Sequence, residues 1–439
     1  VREPWYDEYY SLVEASTDLA TLREGDQPPV YFFLLALFRA QYSVWGARVF
    51  SLVVSLLFLA LVLLFLRKFG NRAALLTGLV AATTPMLMRY GVEIRAYGLL
   101  VLLSLIVAQL TDILRRKPDS PVLFVALLLT LITAAWTHAV GIFLAPAAVG
   151  VWILGSERSK PQYFRWASLL FVPLMATGTW LLYYRLDKKH RYGWIPELSW
   201  DHFWGEIFEA VTGDVLESQV LYGQAAKSLV WLSLAAFFLA LGLAAWKGRE
   251  GRLYLWGVAL YLSQMVFVCV VYEGIMLGRT VLPVYGFFLF FLAASFESIR
   301  GHKTRSAVTC LLILFSGVSV CRWVGWDARA SKEHWNRPLA LLKEELSDSD
   351  ILLTDSRIYP IPTYRFPELQ GRVEFYGGPG DVQADQFDAT RTVYVLVYGD
   401  SEAKPFQELY QRLAHSRTGK RLYKESLCTI WRFEPVAEP

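Results

Sequence analysis

Long runs of apolar residues, separated by short polar connections, occupy most of the chain between residues 44 and 326. Ten of these runs contain about 16 to 24 residues, close to the roughly 20 that cross a hydrocarbon core as a helix. Their approximate bounds are Val44 to Leu66, Ala73 to Met88, Ala96 to Leu114, Val122 to Thr137, Ala139 to Leu154, Trp166 to Tyr184, Ser228 to Trp246, Leu253 to Val271, Thr280 to Phe296 and Ala307 to Val324. The pattern predicts a polytopic helical membrane protein, in which the short fifth segment fits a tilted or re-entrant piece as well as a full span.

The pattern changes after about Ser331. Asp350 to Thr354, Thr392 to Tyr398 and Leu427 to Phe433 have the character of buried strands, and Glu402 to His415 has the spacing of an amphipathic helix. These elements predict a small α/β domain at the C-terminal end of the chain.

Three regions follow from these two patterns. Residues 1–43 form a first loop, residues 44–326 form the membrane domain with a long polar loop at 185–227, and residues 331–439 form the α/β domain. We find no internal repeat at a fixed period.

The composition indicates that a bilayer is the solvent of this chain. Of its 439 residues, 55% are hydrophobic and 19% are charged, and the mean hydropathy is +0.35, which is more apolar than an average soluble protein. The net charge of +4 is too small to indicate a nucleic-acid partner. The four cysteines have neither the spacing of a metal site nor that of a disulfide framework.

The basic residues of the connections predict the orientation. Alternate connections hold three basic residues each, fifteen in total, whereas the short connections between them hold only Arg89, Arg95 and Arg279. The five basic sets are Arg67, Lys68, Arg72; Arg115, Arg116, Lys117; Arg158, Lys160, Arg165; Lys247, Arg249, Arg252; and Arg300, Lys303, Arg305. By the positive-inside rule these five connections face the cytoplasm. The first loop, the other turns, the loop at 185–227 and the α/β domain are therefore predicted to face outward.

The chain begins in one of these outward segments. An even number of spans would have to translocate that segment unaided, and the sequence opens with neither Met nor a signal-peptide pattern. We therefore expect one more spanning helix before Val1 in the natural protein.

Ionisable residues are concentrated at the outward turns, where burial near the membrane is costly, about 2.5 to 3.5 kcal/mol for Arg or Asp at the centre of a helix. Arg89 and Glu93 are four residues apart, on one face if the segment is helical, and Arg95 and Tyr97 follow within a turn. The first two could simply pair as a structural clamp, which is compatible with a function because such a clamp can also position Arg95.

Other outward residues allow a structural and a functional interpretation. Asp7 and Glu8 fit the first turn of a helix as well as general base chemistry. His138 fits an interfacial polar residue or a base, and Arg279 lies in a turn before a proline. Lys188 and Lys189 fit either a solvated surface or an anion site.

Together these residues suit chemistry on a lipid that carries a phosphate. Cations neutralise a phosphate and a carboxylate accepts a proton. The sequence has no phosphate loop of the Walker type, so the donor must carry its own activation. A polytopic transporter or flippase of a lipid-linked or anionic solute would also show outward arginines and paired acids, and a non-catalytic scaffold remains a third interpretation.

The order of several motifs resembles a known family. WYDEYYS, DQPPVYFFLLALF, WGARVFSLVVSLLF, RYGVEIRAYGLL, THAVGIF and LGRTVLPVYGFFLFFLA follow one another as in the bacterial polyprenyl-phosphate-sugar glycosyltransferases of GT-C fold, the group that includes protein mannosyltransferase-like and aminoarabinose transferase-like enzymes. The resemblance covers residues 1 to about 300. It implies a multi-pass protein of the bacterial cytoplasmic membrane with an active site on the outward face.

The resemblance also implies roles for individual residues. Asp7 matches the acidic residue of the family's first outer loop, the general base, and Glu8 matches the second acidic position. Asp26 matches the loop before the next membrane segment, although Gln27 stands where the family more often has His.

The remaining matches lie at later turns. Glu93, Arg95 and Tyr97 match acidic, Arg and Tyr positions at the outer end of a helix, Arg279 matches an Arg near a later proline, and His138 falls where the family often has His or Tyr. Besides Asp7 as the base, the substrate-binding set is therefore Glu8, Asp26, Arg89, Glu93, Arg95, Tyr97, His138, Lys188, Lys189 and Arg279.

The hypothesis is an inverting glycosyltransferase with a polyprenyl-phosphate-sugar donor. The acceptor is a hydroxyl of a glycolipid, a glycan or a protein, and the lipid bilayer is the second partner. No cofactor or required metal is expected, since adjacent carboxylates without further ligands at a clear spacing are a weak metal site.

Overall fold

In a computed structural model of the protein, the described residues are 6–16, 28–156, 163–185, 199, 203–207, 246, 248–271, 277–299, 301–329, 336–347, 349–355, 373–376, 391–398, 404–415, 417–425 and 428–435. The chain forms two compact units. One unit comprises Thr17–Ala328 and is helical; the other combines Val1–Ser16 with Arg329–Pro439. The opening segment is thus grouped with the C-terminal domain, although more than 300 residues separate the two parts in sequence.

The described α-helices follow the apolar pattern. They are α1 (Tyr6–Ser16), α2 (Val30–Leu37), α3 (Val44–Leu66), α4 (Asn71–Thr83), α5 (Pro85–Tyr90), α6 (Tyr97–Arg116), α7 (Pro121–Thr137), α8 (Leu144–Gly155), α9 (Tyr163–Arg185), α10 (Arg249–Val271), α11 (Gly278–Val281), α12 (Tyr285–Ser298), α13 (His302–Arg329), α14 (Asn336–Glu345) and α15 (Lys404–Ala414). Short 3-10 turns lie at Ala40–Tyr42, Arg67–Phe69, Ala139–Phe143 and Leu282–Val284.

Nine of the ten predicted spans coincide with described helices, and the one at Ser228 to Trp246 lies outside the described residues apart from its last position. The second predicted span is broken into α4 and α5 at Thr84, because Pro85 cannot continue the hydrogen-bonding of a helix interior but fits a helix start. Within the described part, four segments are long and apolar enough to cross a membrane: Val44–Phe69, Tyr97–Arg116, Arg249–Val270 and Gly278–Ser298.

Helix α6 lies at the centre of the helical unit and packs against α3, α7, α8 and α12. Leu100 and Leu105 are fully buried on it. At Gly286, at the start of α12, an added Cβ would collide with the carbonyl group of Ser104, so only glycine permits this close approach. The tight contact fixes the first turn of α12, and the Arg279 turn just before it, relative to α6.

The far end of α6 carries a buried cluster of charges. The carboxylate of Asp112, 1% exposed, accepts hydrogen bonds from Lys68, Tyr254, Arg115 and Arg116. The bonds from Arg115 and Arg116 are each 2.7 Å long. A buried carboxylate needs partners to compensate its lost hydration. The basic side chains therefore all converge on the carboxylate of Asp112.

Further contacts bring the other basic connections to the same end. Arg115 also pairs with Glu250, at the start of α10. Arg165 donates to the carbonyl oxygen of Pro118, and Arg249 donates to that of Gly155 over 3.4 Å. Arg72 donates to Thr309 on α13 over 2.8 Å. All five connections that the charge count assigned to one side of the membrane therefore lie at one end of the helical unit.

The second unit contains a five-stranded sheet. Its strands are β1 (Ile351–Asp355), β2 (Val373–Tyr376), β3 (Val393–Tyr398), β4 (Arg417–Glu425) and β5 (Cys428–Pro435), in the order β2-β1-β3-β5-β4. β1 is parallel to β2 and β3, and β5 is antiparallel to β3 and β4. The fold class predicted for this region, α/β, is confirmed, with β1, β3, β5 and α15 close to the predicted positions.

Candidate functional site

Three turns of the helical unit meet at the end opposite the Asp112 cluster. The first turn joins α5 to α6 and spans residues 89–97. It is fixed at Gly91, whose N–H donates to the Leu87 carbonyl over 2.9 Å and whose carbonyl accepts from Ser55 Oγ over 3.2 Å. A Cβ at Gly91 would lie 2.9 Å from the Leu87 oxygen, which leaves room for glycine alone.

This turn holds the Arg89–Glu93 pair that the spacing predicted as a clamp. Arg89 Nε lies 2.9 Å from Glu93 Oε1, and the two side chains are 11% and 3% exposed. The backbone N–H of Glu93 also bonds the Arg89 carbonyl over 3.1 Å, so the segment keeps a helix-like turn here. The pair is therefore well shielded from water, which strengthens its attraction compared with a surface ion pair.

An aromatic ladder connects the first turn to the second. The ring of Tyr90 lies 4.8 Å from that of Tyr97, and Tyr97 lies 5.0 Å from His138. The guanidinium of Arg89 lies 5.6 Å from the centre of the Tyr90 ring, and that of Arg95 lies 5.9 Å from the centre of the Tyr97 ring. These distances are in the range of cation–π contacts, so both arginines lie beside the ladder.

His138 opens the second turn, between α7 and the 3-10 turn Ala139–Phe143. Its Nδ1 accepts a hydrogen bond from the N–H of Val140 over 3.4 Å. In the neutral ring the proton therefore resides on Nε2. Close packing holds this turn, because an added Cβ at Gly141 would collide with the carbonyl group of Ala134 on α7.

The third turn carries Arg279 in the four-residue helix α11. The hydroxyl of Tyr261, fully buried on α10, donates to the carbonyl oxygen of Thr280 over 3.0 Å and lies 3.4 Å from that of Val140. One phenol thus joins the second and third turns. The carboxylate of Glu206, from the long polar loop, accepts from the N–H of Gly278 next to Arg279.

Tyr90 forms the first rung of the aromatic ladder, beside Arg89 and Tyr97. Its side chain is buried, just beyond the second predicted span, and burial raises the pKa of its phenol above the ordinary value, so that the group stays protonated. The charges of Arg89, Arg279 and Glu93 act on the same phenol. Arg279 lies on the third turn, which the Tyr261 hydroxyl joins to the turn of His138.

The assembled groups favour an anion with an attached polar ring. Arg89, Arg95 and Arg279 outnumber the two acidic residues placed there among the described residues, Glu93 and Glu206, so the charge at this end is positive. Guanidinium groups recognise phosphate oxygens through charge-assisted hydrogen bonds. The rings of Tyr97 and His138, tilted by 39° to each other, lie beside the cations.

The sequence pattern indicates most of these residues, but three are found only in the structure. Tyr90, Tyr261 and Glu206 each contact or adjoin a residue that the sequence indicates. The only available signal was for Tyr90, which lies next to Arg89 in a segment already singled out. Tyr261 lies in an apolar run, where a tyrosine is an ordinary core or interface residue.

The acidic residues of the opening segment belong to the other unit. Asp7 and Glu8 lie on α1, Glu8 is 1% exposed, and the Asp7 side chain is outside the described residues. Asp26, Lys188 and Lys189 also lie outside the described residues. Their convergence with Arg95 and Arg279 stays a prediction.

Within the described residues, no group of three or more His, Cys, Asp and Glu side chains is arranged to hold a metal ion. The expectation that no metal is required stays a prediction as well.

Comparisons with known proteins show the fold. Two crystal structures of ArnT from Cupriavidus metallidurans, one in the apo state and one bound to undecaprenyl phosphate, superpose on the chain with TM-scores of 0.61 and 0.62. Each match covers 97% of this chain and 92% of the ArnT chain at 15% sequence identity. No protein-family profile and no curated protein sequence matches. The GT-C fold predicted from the sequence is confirmed.

Proposed function

We propose that this protein is a membrane glycosyltransferase that moves a sugar from a polyprenyl phosphate to an acceptor hydroxyl at the outward face of a bacterial cytoplasmic membrane. The fold supports this proposal, since it is shared with ArnT over almost the whole chain. One of the ArnT structures holds undecaprenyl phosphate. A lipid of that class, carrying a sugar on its phosphate, is the donor proposed here.

The reaction is a single displacement. The acceptor oxygen attacks the anomeric carbon and forms the new glycosidic bond, while the bond between that carbon and the phosphate oxygen breaks. The electron pair leaves with the polyprenyl phosphate, and the acceptor proton passes to the carboxylate of Asp7. Attack opposite the leaving group inverts the anomeric configuration.

The end of the helical unit that carries the candidate site supplies the other part of the chemistry. Arg95 and Arg279, with Lys188 or Lys189 from the long loop, stabilise the charge that grows on the departing phosphate. The Arg89–Glu93 pair holds the turn that carries Arg95. Glu8, Asp26, Tyr97 and His138 bind sugar hydroxyls or orient the base. The observation that carries the proposal is the aromatic ladder with the guanidinium groups of Arg89 and Arg95 beside it. The Tyr261 hydroxyl joins the turn of Arg279 to the His138 end of this ladder.

The experiment uses purified protein in liposomes with labelled polyprenyl-phosphate sugar and a cell-envelope extract as the acceptor source. Transfer predicts release of free polyprenyl phosphate and appearance of the label in a new product. If the label instead crosses the liposome unaltered, the protein is a transporter or flippase. If no new product forms and the label does not cross the liposome, both functions are contradicted.

The variant Asp7→Asn tests the base. Loss of the proton acceptor is expected to lower turnover by about two to four orders of magnitude, the usual contribution of general base catalysis. The measurement is product formation at saturating donor, with the melting temperature as a check on folding. Glu14→Gln, which removes a carboxylate from the same helix, is the matched control and should keep its turnover. Normal turnover in Asp7→Asn would end the assignment of Asp7 as the base.

A further inference from the structure

The helix that carries Asp7 is buried in the C-terminal α/β domain. Tyr9, two residues after Asp7, is 0% exposed and lies in a hydrophobic cluster of that domain. The buried members of this cluster from the domain are Leu339, Leu342, Leu352, Tyr394, Leu396, Cys428 and Ile430. Residues from α14, β1, β3 and β5 thus surround one side chain of α1.

One side of α1 is buried. Besides Tyr9, the residues Glu8, Ser11, Leu12 and Ala15 are at most 1% exposed. Their spacing of three and four positions places them along one side of the helix. With 11 residues, α1 is too short to be stable as an isolated helix in water, so its order depends on the packing around it.

We propose that the α/β domain is the platform that holds the catalytic base, with Tyr9 as the anchor of α1 and therefore a positioning residue. This inference rests on the function proposed above. It assigns a role to the C-terminal domain, which the sequence alone describes only as an outward extension. Asp7 is then carried by a folded domain instead of a free loop, and the packing around Tyr9 limits how far its carboxylate can drift from the reacting hydroxyl.

The test compares four full-length proteins in liposomes: the wild type, Tyr9→Ala, Tyr9→Phe and Tyr10→Ala. Hydrogen exchange is followed in peptides from α1 and from the strands of the sheet, and kcat and donor KM are measured on the same samples. Tyr10→Ala is the matched control, because it removes the same side chain from the neighbouring, partly exposed position.

Tyr9→Ala is expected to speed amide exchange in α1 by at least about tenfold, because the helix loses its anchor, while the strands keep their protection. Since the base is then misplaced, kcat should fall by about 10-fold to 100-fold with little change in donor KM. Tyr9→Phe keeps the ring and should restore both quantities close to the wild type. Tyr10→Ala should resemble the wild type.

Several outcomes would overturn the inference. One is unchanged exchange in α1 of Tyr9→Ala, whether or not kcat falls. Another is faster exchange in α1 with an unchanged kcat. If Tyr9→Ala opens the whole sheet, Tyr9→Leu gives the same comparison with a smaller loss of packing. Wild-type protein that transfers no sugar would defeat the proposed function, whereas the exchange measurements would still decide whether Tyr9 anchors α1.

Discussion

Tyr261 joins two parts of the candidate site that are about 140 residues apart in sequence. Its hydroxyl donates to the carbonyl oxygen of Thr280, beside Arg279, and lies 3.4 Å from that of Val140, two residues after His138. The phenol is fully buried, so no water replaces it when it is removed. Small shifts of either turn would change the distance between Arg279 and the aromatic ladder.

The variant Tyr261→Phe is expected to lower kcat/KM for the donor by about 10-fold to 100-fold, because the turn that holds Arg279 is no longer fixed. Stability should fall by about 1 to 3 kcal/mol, since buried carbonyl groups lose their donor. Both quantities are measured on purified protein, by turnover and by denaturant unfolding.

Tyr254→Phe is the matched control for this prediction. Tyr254 lies two turns earlier on α10 and is equally buried, but its hydroxyl donates to Asp112 in the basic cluster. The variant Tyr254→Phe should therefore have a lower free energy of unfolding and an unchanged kcat/KM for the donor. Equal losses of activity in the two variants would mean that Tyr261 acts only through general stability.

At the residue scale the sequence predicts pairs that are close along one helix and misses pairs that meet across helices. The spacing of Arg89 and Glu93 predicted their ion pair, which is confirmed at 2.9 Å. The contact of Tyr97 with His138 required α6 and α7 to be placed side by side. No periodicity in the chain encodes that placement.

At the scale of elements, the Asp112 cluster holds helix ends together. It connects the end of α3, the last turn of α6 and the start of α10 through Lys68, Arg115 and Glu250. In the sequence, Lys68 and Arg115 served only to predict which side of the membrane their connections face. Their arrangement shows a second role, because one buried carboxylate neutralises cations that would otherwise repel one another.

Asp112→Asn is expected to destabilise the helical unit by about 3 to 5 kcal/mol, because it removes the buried counter-charge that Lys68, Arg115 and Arg116 share. The measurement is denaturant unfolding in detergent. Glu250→Gln is the control: its side chain is 40% exposed, so its loss should cost about 1 kcal/mol or less. An equal loss of unfolding free energy in the two variants would contradict the inference that Asp112 holds the helix ends together.

Elements with a strong pattern were predicted and elements with a weak one were missed. The strands β1, β3 and β5 are apolar and were found, whereas β4, with the sequence RTGKRLYKE at the edge of the sheet, has charged side chains at five of its nine positions. Edge strands tolerate such residues because one side faces solvent. The break between α4 and α5 was missed as well, although Pro85 marks it.

At the scale of the whole molecule, the helical unit has two chemically different ends. Helix α6 starts at Tyr97 in the candidate site and ends at Arg116 in the basic cluster, a length of about 30 Å for its 20 residues. This distance matches the hydrocarbon thickness of a bilayer. The two ends are therefore predicted to face opposite sides of the membrane.

Labelling of single cysteines tests this orientation in cells. In a background without the four native cysteines, Val92→Cys in the first turn should react with an impermeant maleimide in intact spheroplasts. Lys303→Cys, at the basic end, should react only after permeabilisation. The reverse pattern would place the candidate site in the cytoplasm and contradict the proposed reaction at the outward face.

The sequence by itself determined the elements and the chemical character of their ends. Apolar length set the helices, charge alternation sorted their connections, and local spacing gave the Arg89–Glu93 pair, because each of these signals can be read along the chain without knowing which segments meet. Only the tertiary structure decided that Tyr90 and Tyr261 complete the site and that α1 packs into the C-terminal domain. Such contacts depend on which buried faces fit one another in space, and the identity of a buried residue in the sequence does not specify which residue it will contact.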